Sequence, residues 1–118
     1  MPRYKVPQNI RNIAAKAIDY NLSLPMSKRA AMKLEGNKKV FGTGMKTARK
    51  LVRDDVDEKQ LRLMAAWFAR HGESTLSKKA RQDKTSKASI AWALWGGSAG
   101  RKWVNGTLRD IERKKNKN

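Results

Sequence analysis

Within "MKTARKLVR" the cations Lys46, Arg49, Lys50 and Arg53 recur at i, i+3, i+4 and i+7. On an α-helix that spacing places all four on one face. Guanidinium and ammonium groups in such a row bind phosphate oxygens by charge and by hydrogen bonding. No carboxylate is interleaved, so the four repel one another unless an anion lies across them. Met45, Ala48, Leu51 and Val52 fall on the opposite side, where a core would hold them. The segment therefore predicts phosphate contact, against the plainer reading of a solvated face. Lys78, Lys79, Arg81 and Lys84 in "GESTLSKKARQDKTSK" (72–87) add charge, as do Arg101, Lys102, Arg109 and Arg113 near the C-terminus. Contacts of this kind set affinity and position rather than sequence preference.

Other chemistries fit less well. His71 is the only histidine and stands near a helix end, where the dipole favours it; it is expected to do only that. Asp54, Asp55, Asp57 and Glu58 could together hold a divalent metal, but capping and the first-turn dipole explain them better, so no metal and no cofactor is expected. "GGSAGRK" lacks the spacing of a phosphate loop: three residues separate Gly96 from Gly100, and Trp103 stands where Ser or Thr belongs. With no nucleophile pattern either, the chain is not expected to be an enzyme. A helix-turn-helix over 44–71 has suitable lengths, but its turn carries two aspartates and its second helix is mostly apolar, which disfavours base readout. Trp67, Trp92 and Trp103 coincide with apolar helix faces, so Trp95, beside Gly96, is the aromatic expected to be partly exposed and able to stack on a base.

Composition points the same way. Twenty-eight Lys and Arg against ten acids give a formal charge of +18 over 118 residues. Such a surplus repels itself in a compact state and predicts a polyanionic partner. There is no cysteine, which excludes disulfides and thiolate metal sites. No apolar run reaches the length of a membrane span, and "MPRYKVPQN" lacks the apolar stretch of a signal peptide.

The elements that must position these groups read as helices nearly throughout. Ile10, Ile13, Ala14, Ala17 and Ile18 trace one helix face, with Pro7 in its first turn. "SKRAAMKLEG" predicts a short helix stopped by Gly36, and "KVF" is too short to build a sheet. Thr43 could cap the cationic helix. Asp57 with Gln60 reads as a capping box, flanked by Val56 and Leu61 as a hydrophobic staple. The helix 57–71 that follows is apolar on most sides and is expected at the centre. Residues 72–87 read as a basic loop, "ASIAWALW" as a short helix, and Ser98 as the cap of the last helix. The fold class expected is all-α: one domain over 1–118, five or six short helices, and flexible basic tails at 1–6 and 113–118.

Three segments, "GTGMKTARKL" (42–51), "MAAWFARH" (64–71) and "IAWALWGGSAGRKW" (90–103), together resemble a small domain of bacteriophage and prophage proteins. Its pattern is approximately G-G-T-x-x-G-x-x-R-A-x-x-L, M-x-x-Y/F-F-x-R-H and I-A-W-x-L-W-G-G-D-x-G-x-x-W. The resemblance covers roughly residues 40–105 and departs at Ser98, where the pattern has Asp. It implies a viral origin, and hence a place in the host cytoplasm or the virion. The expectation is a small basic phage protein that binds nucleic acid, DNA ahead of RNA, largely without sequence specificity. The alternative is a structural protein that docks its basic face on an acidic host or virion protein.

Overall fold

The computed structural model describes residues 2–53 and 55–116. Helix α1 (Gln8–Ser23) buries Ile10, Ala14, Ala17 and Asn21, the stripe its apolar spacing predicts. Pro7 sits just ahead of it, and its carbonyl accepts from the backbone N–H of Ile10 and Arg11. At the other end the Arg29 guanidinium donates to the carbonyls of Leu22 and Leu24, satisfying groups that the helix terminus leaves open.

The chain then departs from the expected short helix. A single 3-10 turn (Met26–Lys28) leads to an antiparallel hairpin, β1 (Met32–Glu35) and β2 (Lys38–Phe41). Met32 pairs with Phe41 and Glu35 with Lys38, so Gly36 (φ +63°) and Asn37 form a two-residue turn rather than a helix stop. The cause lies in α1. The fully buried Asn21 amide donates to the Ala30 carbonyl (3.0 Å) and accepts from the Ala30 N–H (2.9 Å). A helix through 27–35 would commit the Ala30 carbonyl to the Leu34 N–H and take that acceptor from the buried amide. Ala31 then takes a left-handed conformation (φ 56°), which breaks any helical path.

Helix α2 (Thr43–Arg53) follows directly. Helix α3 (Glu58–Glu73) is capped as expected: the Asp57 carboxylate accepts from the Gln60 N–H at 2.8 Å. The return half of the capping box gives way to another contact, since Gln60 Oε1 accepts from Lys50 Nζ at 3.4 Å. Val56 and Leu61 are both buried, as a staple requires. Leu61, Met64 and Phe68 of α3 are fully buried, but Leu63, Ala66 and Ala69 face outward, so α3 is not apolar all round. Helix α1 packs against α2, α5 and α6, while α3 packs against α6 and α4.

The 72–87 segment is not a plain loop. It contains α4 (Thr75–Ala80), capped by Ser74, and a run of turns in which Asp83 accepts from Thr85. Helix α5 (Lys87–Leu94) and helix α6 (Gly97–Lys115) complete the fold. Between them Gly96 (φ +105°) and Gly97 (φ +67°) make a turn that L side chains rarely adopt. Gly96, not Ser98, occupies the N-cap of α6, and Ser98 Oγ instead accepts from Trp92 Nε1 at 3.2 Å.

Where they are described, residues 2–6 and 113–116 of the expected tails are tied to the fold; Met1, Lys117 and Asn118 lie outside the described residues. Tyr4 exchanges two backbone hydrogen bonds with Val56, and Val6 is buried. Arg11 holds this segment to the end of α2, donating to the carbonyls of Val6 and Val52 and pairing with Asp55 at 3.4 Å. Residues 113–115 continue α6. The protein is thus a small, mostly α-helical bundle with one two-stranded hairpin. Among the described residues, no helix is long and apolar enough to cross a membrane.

Candidate nucleic-acid interface

The fold places the α2 stripe as the spacing predicts. Met45, Ala48 and Leu51 are completely buried against α1 and α5, and that fixes the rotation of the helix. Lys46, Arg49, Lys50 and Arg53 are in consequence all exposed on its outer face. The Arg49 guanidinium lies 5.8 Å from the centre of the Phe41 ring, next to the hairpin lysines. Among the described residues, no carboxylate forms an ion pair with any of the four.

The carboxylates are used elsewhere. Glu58 and Glu112 both bind Arg62 at 2.9 Å, and Lys115 reaches Glu58 at 3.5 Å. The hydrogen bond from Arg62 holds the Glu58 carboxyl below its ordinary value. Glu73 takes Arg101 at 2.8 Å and Lys78 at 4.0 Å, and the Arg101 hydrogen bond lowers its pKa likewise. Asp110 lies 3.9 Å from Arg113. Asp54 lies outside the described residues.

The remaining cations named from the sequence divide into separate groups. Lys78 and Lys79 are exposed on α4, and Lys84 on the turn after it. Arg81 turns inward: its guanidinium lies 4.0 Å over the Trp92 ring and donates to the His71 carbonyl at 3.0 Å. Arg101 is half-buried against Gly72 and Glu73. Lys102, Arg109 and Arg113 border a shallow depression on α6, and no residue of the α2 stripe borders it. Arg81 and Arg101 are therefore held by intramolecular contacts, and the stripe stands as a group of its own.

The helix-turn-helix arrangement fails on packing. Helix α2 rests on α1 and α5, whereas α3 rests on α6, so the two consecutive helices do not form the packed pair that such a unit needs. The N-terminal segment also occupies their connection through the Tyr4–Val56 bridge.

Trp95 reverses the expectation of a partly exposed stacking residue. It is 2% exposed, the most buried of the four tryptophans, and lies flat on Trp67 with centroids 4.6 Å apart and planes 9° apart. Trp67, Trp92 and Trp103 are instead half-buried. The positive φ of Gly96 turns the chain back over the end of α5, which folds Trp95 inward at the helix terminus rather than leaving it exposed there.

Sequence reasoning missed a second cationic region. Arg29, Arg70 and Lys87, from three distant parts of the chain, border a cleft of about 710 Å³. No periodicity links them, so no local pattern could have grouped them. No protein-family model, no curated protein and no solved structure matches the chain.

Proposed function

We propose that this is a small phage-encoded protein that binds nucleic acid through its phosphates, DNA ahead of RNA and largely without sequence specificity. The observation that carries the reading is the α2 stripe. Four exposed cations share one helix face and none forms an ion pair among the described residues, although Asp55 and Asp57 border the same depression as Lys50 and Arg53 and acids elsewhere pair with Arg62, Arg101 and Arg113. A row of like charges destabilises a helix on its own and is relieved when polyanion phosphates lie across it. The formal charge of +18 supplies the long-range attraction that brings such a partner in.

The test is fluorescence anisotropy with labelled duplex DNA, single-stranded DNA and RNA of one sequence, across a salt series. The expected result is tight binding at low salt that weakens linearly in log–log form as salt rises. Absence of binding at low salt, or an affinity indifferent to salt, overturns the proposal.

A further inference from the structure

The cleft bordered by Arg29, Arg70 and Lys87 lies between the hairpin root, the start of α2, the end of α3, and α5. The three segments that carry the phage resemblance converge on it, contributing Thr43 and Gly44, then Trp67, Arg70 and His71, then Trp92 and Trp95. Its character is mixed in a specific way. One wall is aromatic and aliphatic, built from Trp67, Trp92, Ala88 and Ala91. The rim is cationic: Arg29, Arg70, Arg81 and Lys87 line it, and no Asp or Glu does.

Two of these cations are fixed in advance. Arg29 is tied to the carbonyls of Leu22 and Leu24, and Arg81 to the His71 carbonyl and the Trp92 face. Arg70 and Lys87 are exposed and have no ion-pair partner among the described residues. The floor adds a donor. Trp95 is 2% exposed, and its indole N–H is left accessible rather than sealed in the core. That nitrogen lies beside Gly44, where an added Cβ would come within 3.2 Å of it, and both residues line the cleft. His71, its ring tilted 35° against Trp67 at 4.4 Å, has its pKa lowered chiefly by burial and further by Arg70 and Arg81.

A site with donors and no acceptor charge selects an anion. Its size selects more than a bare phosphate, because about 710 Å³ matches the range of small-molecule sites. An aromatic wall, its Trp67 and Trp92 planes 40° apart, facing a cationic rim matches one ligand chemistry well, an apolar heterocycle joined to a phosphate. We propose that the cleft binds a single unpaired nucleotide, its phosphate on Arg29, Arg70 and Lys87 and its base against the Trp67/Trp92 wall. The base edge then accepts from the Trp95 N–H. This site is distinct from the α2 stripe, which needs only a backbone.

Three of the four tryptophans line the cleft and the chain has one histidine, so two clean reporters exist. The experiment titrates the full chain with deoxynucleoside monophosphates, the matching nucleosides and inorganic phosphate. It follows tryptophan fluorescence and the His71 ring resonance by NMR. The monophosphate should shift both signals and bind at least tenfold more tightly than either the nucleoside or phosphate alone. The double variant R70Q/K87Q changes two exposed residues and should reduce that affinity at least tenfold, with circular dichroism unchanged. Phosphate across Arg70 and Arg81, with Arg29 and Lys87 opposite, should also raise the His71 pKa. Equal binding of inorganic phosphate and nucleotide, no shift of the His71 resonance, or undiminished affinity in R70Q/K87Q each overturns the proposal. Substituting Lys46, Arg49, Lys50 and Arg53 with Gln should leave mononucleotide binding intact while it weakens duplex binding. Failure at one surface is thereby distinguished from failure at the other.

Discussion

Replacing Lys46, Arg49, Lys50 and Arg53 together with Gln should weaken binding to nucleic acid and at the same time stabilise the fold. From Lys46 to Arg53 the stripe spans two turns of α2, about 10 Å at 1.5 Å per residue. Over that length one strand of a duplex offers about three phosphates, at roughly 3.4 Å of axis each. Each phosphate neutralised contributes about 0.9 to the slope of log affinity against log salt. Loss of the stripe should therefore flatten that slope by about 2.5 to 3 on duplex DNA, and by about 2 on a single strand, where each phosphate counts for about 0.7. Between 50 and 200 mM salt, the wild-type chain should lose about 40-fold in affinity through these contacts alone.

The stability change has the opposite sign. The stripe contains the like-charged neighbours 46/49, 46/50, 49/53 and 50/53, each costing about 0.2–0.5 kcal/mol in an isolated helix. Gln has nearly the helix propensity of Lys and Arg, so little is lost in exchange. Lys50 and Arg53 gain something from the C-terminal dipole, which trims the benefit to about 1 kcal/mol at low salt. The assays are anisotropy across a salt series and urea denaturation of the same samples. A variant whose salt slope changes by less than about 1 would refute the assignment of phosphates to α2. A variant that binds less but is also much less stable would mean the stripe is structural, and the reasoning from charge repulsion would be wrong.

Three further perturbations probe the scaffold. Asn21→Ala leaves the buried N–H and carbonyl of Ala30 without partners, so urea denaturation should show a loss of about 2 to 4 kcal/mol; a loss under about 1 kcal/mol would mean the amide does not hold the hairpin root. Gly96→Ala forces a side chain to φ +105° and brings its Cβ to 3.0 Å from Ile10 Cγ2 and 3.1 Å from the Gly100 backbone, so it should cost about 2 kcal/mol or more, against about 1 kcal/mol for Gly36→Ala, whose Cβ meets nothing. His71 has a folded pKa below its ordinary 6.5, so it binds fewer protons when folded than when unfolded. Its contribution is complete above about pH 6.5 and is lost as pH falls toward the folded pKa. The melting temperature should therefore drop between pH 7.5 and 5, and His71→Gln should flatten that part of the profile; an unchanged profile would contradict the burial of the ring and its cationic neighbours.

What the sequence made legible is what depends on local spacing. The buried face of α1, the amphipathic α2 and the Asp57 cap each follow from residues within one or two turns of each other. The hairpin was hidden because its cause, Asn21, lies nine residues away and acts through the backbone of Ala30. "AAMKLE" has the composition of a helix, and only the buried amide and the left-handed Ala31 decide otherwise. Trp95 was misplaced for a related reason: a tryptophan at a helix end is exposed only if the chain continues outward, and Gly96 turns it back. The cleft could not be read at all, because Arg29, Arg70 and Lys87 meet only through the packing of four separate segments. The stripe was readable because one helix carries it whole.

The placement of the acids separates cations that are ion-paired within the fold from those that are not. A single Glu in place of Lys46 would give α2 ion pairs at i+3 and i+4, each worth a few tenths of a kcal/mol, at no cost to the core. Such pairing is what Glu58, Arg62 and Glu112 achieve between α3 and α6, and what Glu73 does for Arg101. The chain thus uses ion pairing where helices meet and leaves it out on the α2 face and around the cleft rim. Self-repulsion at those two places is a cost to stability that a bound anion, or screening salt, relieves. The two surfaces also differ in what they ask of that anion. A linear row of flexible side chains on α2 accepts any backbone with the right charge spacing. A cleft with a fixed Arg81, an aromatic wall and an accessible indole N–H would favour a ligand with a face and an edge. A strand running along α2 could satisfy the first demand paired and the second only where a base is free, so a junction between duplex and single strand, or a strand end, is the substrate that would engage both.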